Sequence, residues 1–118
     1  MKYMLLFNSP IQDLEREYDD PASKDYWEAW RAYIGAISAS GIVQGGHGLK
    51  SPNTATTIRI RGDKRQIQDG PYADTKELLG GYLVIEVASL DEALVWAERS
   101  PSTVIGSTEV RPILPLEE

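Results

Sequence analysis

Two stretches of this chain hold side chains able to do chemistry. Asp69-Gly70-Pro71-Tyr72-Ala73-Asp74-Thr75-Lys76-Glu77 concentrates three carboxylates, one ammonium and one phenol. Neighbouring carboxylates push one of their pKa values up, the arrangement acid–base catalysis uses. On a helix Asp74 and Glu77 would share a face, whereas Lys76 and Glu77 would diverge. A carboxylate pair also suits a hard cation such as Mg²⁺. The spacing does not match a calcium-binding loop, and no metal site is assigned. Asp69 is a candidate base or ligand anchor. Its structural alternative is an Asx-turn, with the carboxylate accepting a backbone N–H two residues on. Tyr72, Asp74, Lys76 and Glu77 are expected to border a small-molecule pocket; the alternative is a solvated connection of weak surface pairs worth under about 1 kcal/mol.

His47 is the single histidine and stands in Gly45-Gly46-His47-Gly48. Imidazole titrates near neutrality, which makes His47 a candidate acid or base. The glycines permit close approach of a ligand, or mark a turn. Arg59, Arg61, Glu86, Glu109 and Arg111 alternate outward from strand-like runs. If those faces line a cavity, Arg59 and Arg111 would hold a substrate carboxylate through bidentate bonds. No Ser-His-Asp order, nucleophile elbow or phosphate loop is present.

These groups need a scaffold. Tyr3, Leu5 and Phe7 alternate along a first strand, whose other face is also apolar through Met4 and Leu6. Ser9 to Asp20 reads as a solvated loop or short helix. Asp20-Pro21 is a helix start, with Asp at the N-cap and Pro at N1, and Ser23 is an alternative cap. Trp27, Trp30, Ile34 and Ile37 then form one helical stripe, with Gly41 closing it. Two tryptophans on a stripe are more commonly core than an aromatic ligand box. Ile42 to Leu49 is a strand carrying a glycine irregularity. Thr54–Arg61 and Arg65–Gln68 form a hairpin about Gly62-Asp63-Lys64. Gly80-Gly81 opens the strand Tyr82–Val87. Ser89 caps a second helix through Ser-x-x-Glu, with Leu90, Ala93, Leu94 and Ala97 buried and Pro101 ending it. Gly106 to Ile113 is a last strand, which Pro112 places at an edge. The order βαβββαβ reduces to a ferredoxin-like α+β unit with an antiparallel sheet once a hairpin is set aside.

The 118 residues suit a single domain, 1–118, able to bury a core. No cysteine is present, which removes disulfide scaffolds, zinc ribbons and thiol catalysis. A cytoplasmic setting agrees with this. The net charge of −6 argues against nucleic acid and anionic membrane partners. No apolar run nears the roughly 20 residues of a membrane helix, and the start reads as a strand rather than a leader.

Asp69 to Glu77 resembles the signature Asp-Gly-Pro-Phe-Ala-Glu-Thr-Lys-Glu of the DGPF family, which belongs with the YCII-related proteins. Tyr72 replaces Phe and Asp74 replaces Glu. Met1–Leu6, Gly81-Tyr82, Leu90–Leu94 and Glu109–Pro112 extend the likeness over most of the chain. The resemblance implies ferredoxin-like units paired as a dimeric α/β barrel. It also implies relatives that run isomerase- or lyase-type proton transfer on a small organic acid without a cofactor. Such proteins carry a histidine in the first helix, paired with an aspartate. Here that helix holds Trp27 and Trp30 and no histidine. The alternative function is a ligand-sensing or protein-interaction module, since family members are found linked to sigma factors.

Assembly follows from patterning. Two helices cover one sheet face, while Tyr82, Val84 and apolar residues of the first strand occupy the other. A homodimer packed sheet to sheet would bury them.

Overall fold

The computed structural model describes residues 1–72 and 75–116. Six strands are present: β1 (Lys2–Pro10), β2 (Val43–Gly48), β3 (Thr56–Arg61), β4 (Lys64–Asp69), β5 (Glu77–Glu86) and β6 (Ser107–Pro112). Four helices accompany them: α1 (Ile11–Leu14), α2 (Lys24–Ala39), α3 (Leu90–Glu98) and α4 (Pro101–Ile105). The mixed α+β architecture is compatible with a ferredoxin-like fold. Its main sheet is antiparallel in the order β2-β5-β1-β6, so β5 separates β1 from β2 as in a split βαβ unit. β3 and β4 form a separate two-stranded sheet. Four strands therefore lie between the long helices, rather than the three in the sequence-derived order. β5 also begins five residues earlier than Tyr82.

Strand alternation decides what is buried. Tyr3, Leu5, Phe7 and Ser9 point to the helices and are at most 5% exposed. Across β5 the same face takes Gly81, Leu83 and Ile85, in register with Phe7, Leu5 and Tyr3. The helices complete this core with Tyr33, Ile37, Ala93 and Ala97. On the opposite face Met4, Leu6, Tyr82 and Val84 are half-buried. A bulge interrupts β1–β5: Phe7 faces Gly81, but Asn8 faces Leu79, so Gly80 is the extra residue. The expected irregularity in β2 is also a bulge, between Val43 and Gly45.

The long helix starts after the alternative cap Ser23, which stands at its N-cap position without a capping side-chain hydrogen bond. Asp20 does act as a cap, accepting from Ala22 N–H at 3.0 Å, but it caps the 3₁₀ turn Pro21–Ser23. α2 buries Tyr33 and Ile37, whereas Ile34 is 38% exposed. The stripe is thus rotated from the one predicted, because the Tyr33 hydroxyl finds a buried acceptor in the Trp96 carbonyl at 2.9 Å. In α3 only Ala93 and Ala97 are buried; Leu90 and Leu94 are nearly half exposed. Small residues let α3 lie close to the sheet. Ser89 caps α3, accepting from Glu92 N–H at 3.2 Å, while the Glu92 carboxylate accepts from Ala88 N–H. β6 is an edge strand, as Pro112 requires.

Candidate functional site

A cavity of about 360 Å³ lies between the first half of α2 and the sheet. The size suits a small organic ligand. Aromatic rings form one wall: Phe7 from β1 and Tyr26, Trp27 and Trp30 from α2. Phe7 and Trp30 meet edge to face, centroids 5.1 Å apart. The Trp27 indole N–H donates to the Glu17 carbonyl at 3.0 Å, which fixes that ring against the α1–α2 connection. The floor is backbone from β2 and β5. Gly46 makes this possible: at φ 155° a Cβ there would strike the Tyr82 carbonyl and Leu83.

Two polar groups reach this aromatic space from β1 and the helix that follows it. Ser9 is 1% exposed and lines the cavity. Its hydroxyl has no hydrogen-bond partner among the described residues. No fully buried side-chain polar atom is left unpaired there, so the small exposed remainder of Ser9 is at the hydroxyl, facing the cavity. Asp13, on α1, also lines it. Its Oδ1 accepts from Arg16 Nε at 2.9 Å, and its side chain is 13% exposed. Asp13 Oδ2 has no partner among the described residues. Arg16 Nη1 donates in turn to Ser23 Oγ at 2.9 Å, and the guanidinium lies 4.9 Å from the Tyr26 ring centroid. Burial raises the Tyr26 pKa above its ordinary 10, and the Asp13 charge adds to this; the Trp30 indole and Arg16 pull the other way. The Tyr26 phenol therefore stays protonated at neutral pH. The arrangement offers a fixed carboxylate oxygen, a neutral phenol and a free hydroxyl around a stack of rings.

The residues singled out in the sequence mostly lie elsewhere. His47 does border the cavity from β2. Its Nδ1 is 3.0 Å from the Tyr82 hydroxyl, its cross-strand partner. Asp69 ends β4 opposite Thr56 and is exposed. Tyr72 is 73% exposed, and the Arg59 guanidinium sits 4.9 Å from its ring centroid. Tyr72 borders a second hollow of about 430 Å³, together with Pro52, Pro71, Leu78 and Leu79. Lys76 is exposed. Glu77 opens β5 and accepts from the Ser107 hydroxyl at 2.7 Å. Arg59 belongs to the β3–β4 hairpin, and Arg111 pairs with Glu109 on β6. Asp74 lies outside the described residues. Of the acidic loop's described residues, Tyr72 borders the second hollow, while Asp69, Lys76 and Glu77 line neither of the two. β5 begins at Glu77 and carries the chain away from the loop, so its cavity-lining residues are Gly80 to Leu83.

Sequence reasoning missed Ser9, Asp13 and Tyr26, and assigned Trp27 and Trp30 to the core. Two signals pointed to them. Ile11 and Leu14 share the helical spacing that makes the segment after Pro10 a turn of helix. Asp13 and Arg16 repeat that spacing with opposite charge.

The YCII-related domain model matches residues 1–117. The chain belongs to the YCII-related family. An uncharacterised protein of Rhizobium meliloti (strain 1021) is 36% identical over 102 residues, covering 83% of this chain and 77% of its own. Among solved structures, a 5-chloro-2-hydroxyhydroquinone dehydrochlorinase from Burkholderia phenoliruptrix AC1100, in complex with 2,5-dihydroxybenzoquinone, is similar in fold. The TM-score is 0.54 at 20% identity, over 97% of this chain and 94% of that one. No described helix is long and apolar enough to cross a membrane.

Proposed function

We propose that the cavity binds a small, uncharged, single-ring organic molecule bearing hydroxyl or carbonyl groups, and that Asp13 exchanges a proton with it. One observation carries this reading: the Ser9 hydroxyl and Asp13 Oδ2, neither with a partner among the described residues, share one aromatic-walled cavity. Rings stack favourably on such walls. Ser9 satisfies one ligand oxygen. Asp13 Oδ2 takes a proton from a ligand O–H or acidic C–H and returns it to another ligand atom, which is isomerase- or lyase-type chemistry. The similar-fold dehydrochlorinase, crystallised with a dihydroxybenzoquinone, agrees in ligand type.

The charge pattern refines the expectation of a small organic acid. The Arg16 guanidinium is engaged by Asp13 and Ser23. A ligand carboxylate entering here would meet the Asp13 carboxylate, and like charges in a partly desolvated space repel. A phenol or quinol avoids this.

Calorimetry and NMR with hydroquinone, catechol and benzoate test the reading. Hydroquinone or catechol should bind at least about tenfold more tightly than benzoate. Wild-type protein should catalyse exchange of ring protons with deuterium from solvent, and Asp13→Asn should remove the exchange while keeping binding. Benzoate binding equal to that of the phenols would overturn the ligand class. Binding without exchange in the wild type would remove the proton-transfer role and leave the ligand-sensing alternative.

A further inference from the structure

We propose that the second hollow holds an apolar substituent of the same ligand whose ring occupies the cavity, so that the ligand is a phenol or quinol extended by a hydrocarbon chain; this assignment rests on the phenol reading of the cavity. The two spaces adjoin. Leu49 lines both, and on β5 Gly80 borders the cavity while its neighbour Leu79 borders the hollow. The Leu49 N–H donates to the Gly80 carbonyl at 2.9 Å, which sets the boundary at the β1–β5 bulge. Gly80 puts no side chain between the two spaces. Leu49 is 49% exposed, so its side chain forms a ledge and not a closed partition.

The hollow is apolar and its walls are fixed. Pro52, Ala55, Pro71 and Leu78 line it beside Leu49 and Leu79. Its hydroxyl residues are already paired: Ser51 Oγ accepts from Asn53 N–H at 3.4 Å, and Thr54 Oγ1 donates to the Ser51 carbonyl at 2.7 Å. Lys50 is exposed, which leaves its ammonium to water. A hydrocarbon chain gains here by leaving water, whereas a polar extension would lose its hydration against groups that are already bonded. The Gly70 N–H donates to the Ala55 carbonyl at 2.7 Å, and Thr57 Oγ1 donates to the Gly70 carbonyl at 3.0 Å, which holds the base of the Pro71-Tyr72 wall. Asn53 Nδ2 donates to Glu15 Oε2 at 2.8 Å and ties the turn Pro52–Thr54 to the α1–α2 connection. The hollow is thus anchored to the same connection that fixes Trp27 at the cavity.

Calorimetry on the full chain with phenol, 4-ethylphenol, 4-butylphenol and 4-hexylphenol tests the assignment. Affinity should rise about threefold to fourfold for each methylene. By NMR, 4-hexylphenol should move Tyr72 ring resonances that phenol leaves in place. Leu79→Asp, which sets a charge in the hollow, and Tyr72→Ala, which removes a wall, should each flatten the rise with chain length. Tyr72 is 73% exposed, so its variant keeps the fold even where Leu79→Asp disturbs β5. Phenol binding with no rise along the series would overturn this inference and leave the phenol reading standing. A rise that persists unchanged in both variants would place the chain elsewhere and overturn it as well. Binding by none of the four would overturn both readings.

Discussion

Arg16 holds Asp13 from one helical turn away, Nε to Oδ1 at 2.9 Å, and anchors itself on Ser23 with its other nitrogen. The carboxylate orientation thus depends on residues from both sides of the α1–α2 connection. Arg16→Ala should cost about 1 kcal/mol in stability, less than the roughly 1.5–3 kcal/mol of a hydrogen bond to a charged group because the guanidinium is partly solvated. It should also weaken phenol binding without abolishing it, because the Asp13 carboxylate remains but is no longer fixed. Arg16→Lys should restore stability better than orientation, since an ammonium lacks the planar fork. Chemical denaturation and calorimetry on both variants separate the effects.

Tyr33 gives the fold an alkaline limit. Burial raises its pKa from 10 to about 12, opposed by Arg99. The folded state keeps the phenol neutral where the unfolded chain has lost the proton. Its contribution is therefore complete below pH 10 and is lost as pH rises through about 12. Thermal melts of wild type should fall in that window. Tyr33→Phe should melt lower at neutral pH, having lost the bond to the Trp96 carbonyl, and should show a flatter alkaline decline.

Gly46 admits no side chain. Gly46→Ala adds a Cβ against the Tyr82 carbonyl and Leu83 at a φ that other residues avoid. A loss of about 1–3 kcal/mol is expected. The cavity floor should shift with it, so phenol binding should fall more than stability alone explains. Gly45→Ala, where a Cβ meets nothing within 4 Å, is the control and should be close to neutral.

Ile37 is fully buried between α2 and the sheet. Ile37→Ala should cost about 2–5 kcal/mol by transfer and cavity terms together. Ser89→Ala, removing the α3 cap, should cost about 1 kcal/mol. Urea denaturation ranks the two.

Much of the fold was legible because strand alternation and cap chemistry are local. Tyr3, Leu5 and Phe7 share one face by period alone, the Ser89 hydroxyl caps the start of α3, and Gly41 closes α2 at φ 83°. The rotation of the α2 stripe was not legible. It depends on Tyr33 reaching a carbonyl 63 residues away, which no helical pattern encodes. The site escaped for a related reason. The loop from Asp69 to Glu77 is dense in charge, and density was read as convergence. Among its described residues, Asp69 instead ends the hairpin and Glu77 opens β5. Asp13 stands in an equally acidic stretch, but the turn of helix that places it at the cavity is four residues long. Such a short element gives almost no periodicity to read.

The extra residue at Gly80 divides β5 into two reading frames. Upstream of it the even position, Leu78, faces the core; downstream the odd positions Gly81, Leu83 and Ile85 do. The hydrophobic code of the strand is therefore shifted by one place partway along its length. Deleting Gly80 would merge the frames without altering any other side chain. Leu79 would still point outward opposite Asn8 and Leu78 inward opposite Ser9, so both halves would keep their faces and the local bend of the bulge would be lost. A single small residue thus bends one strand without changing which side chains face the core, and sequences of this type are best aligned with a gap allowed at that position.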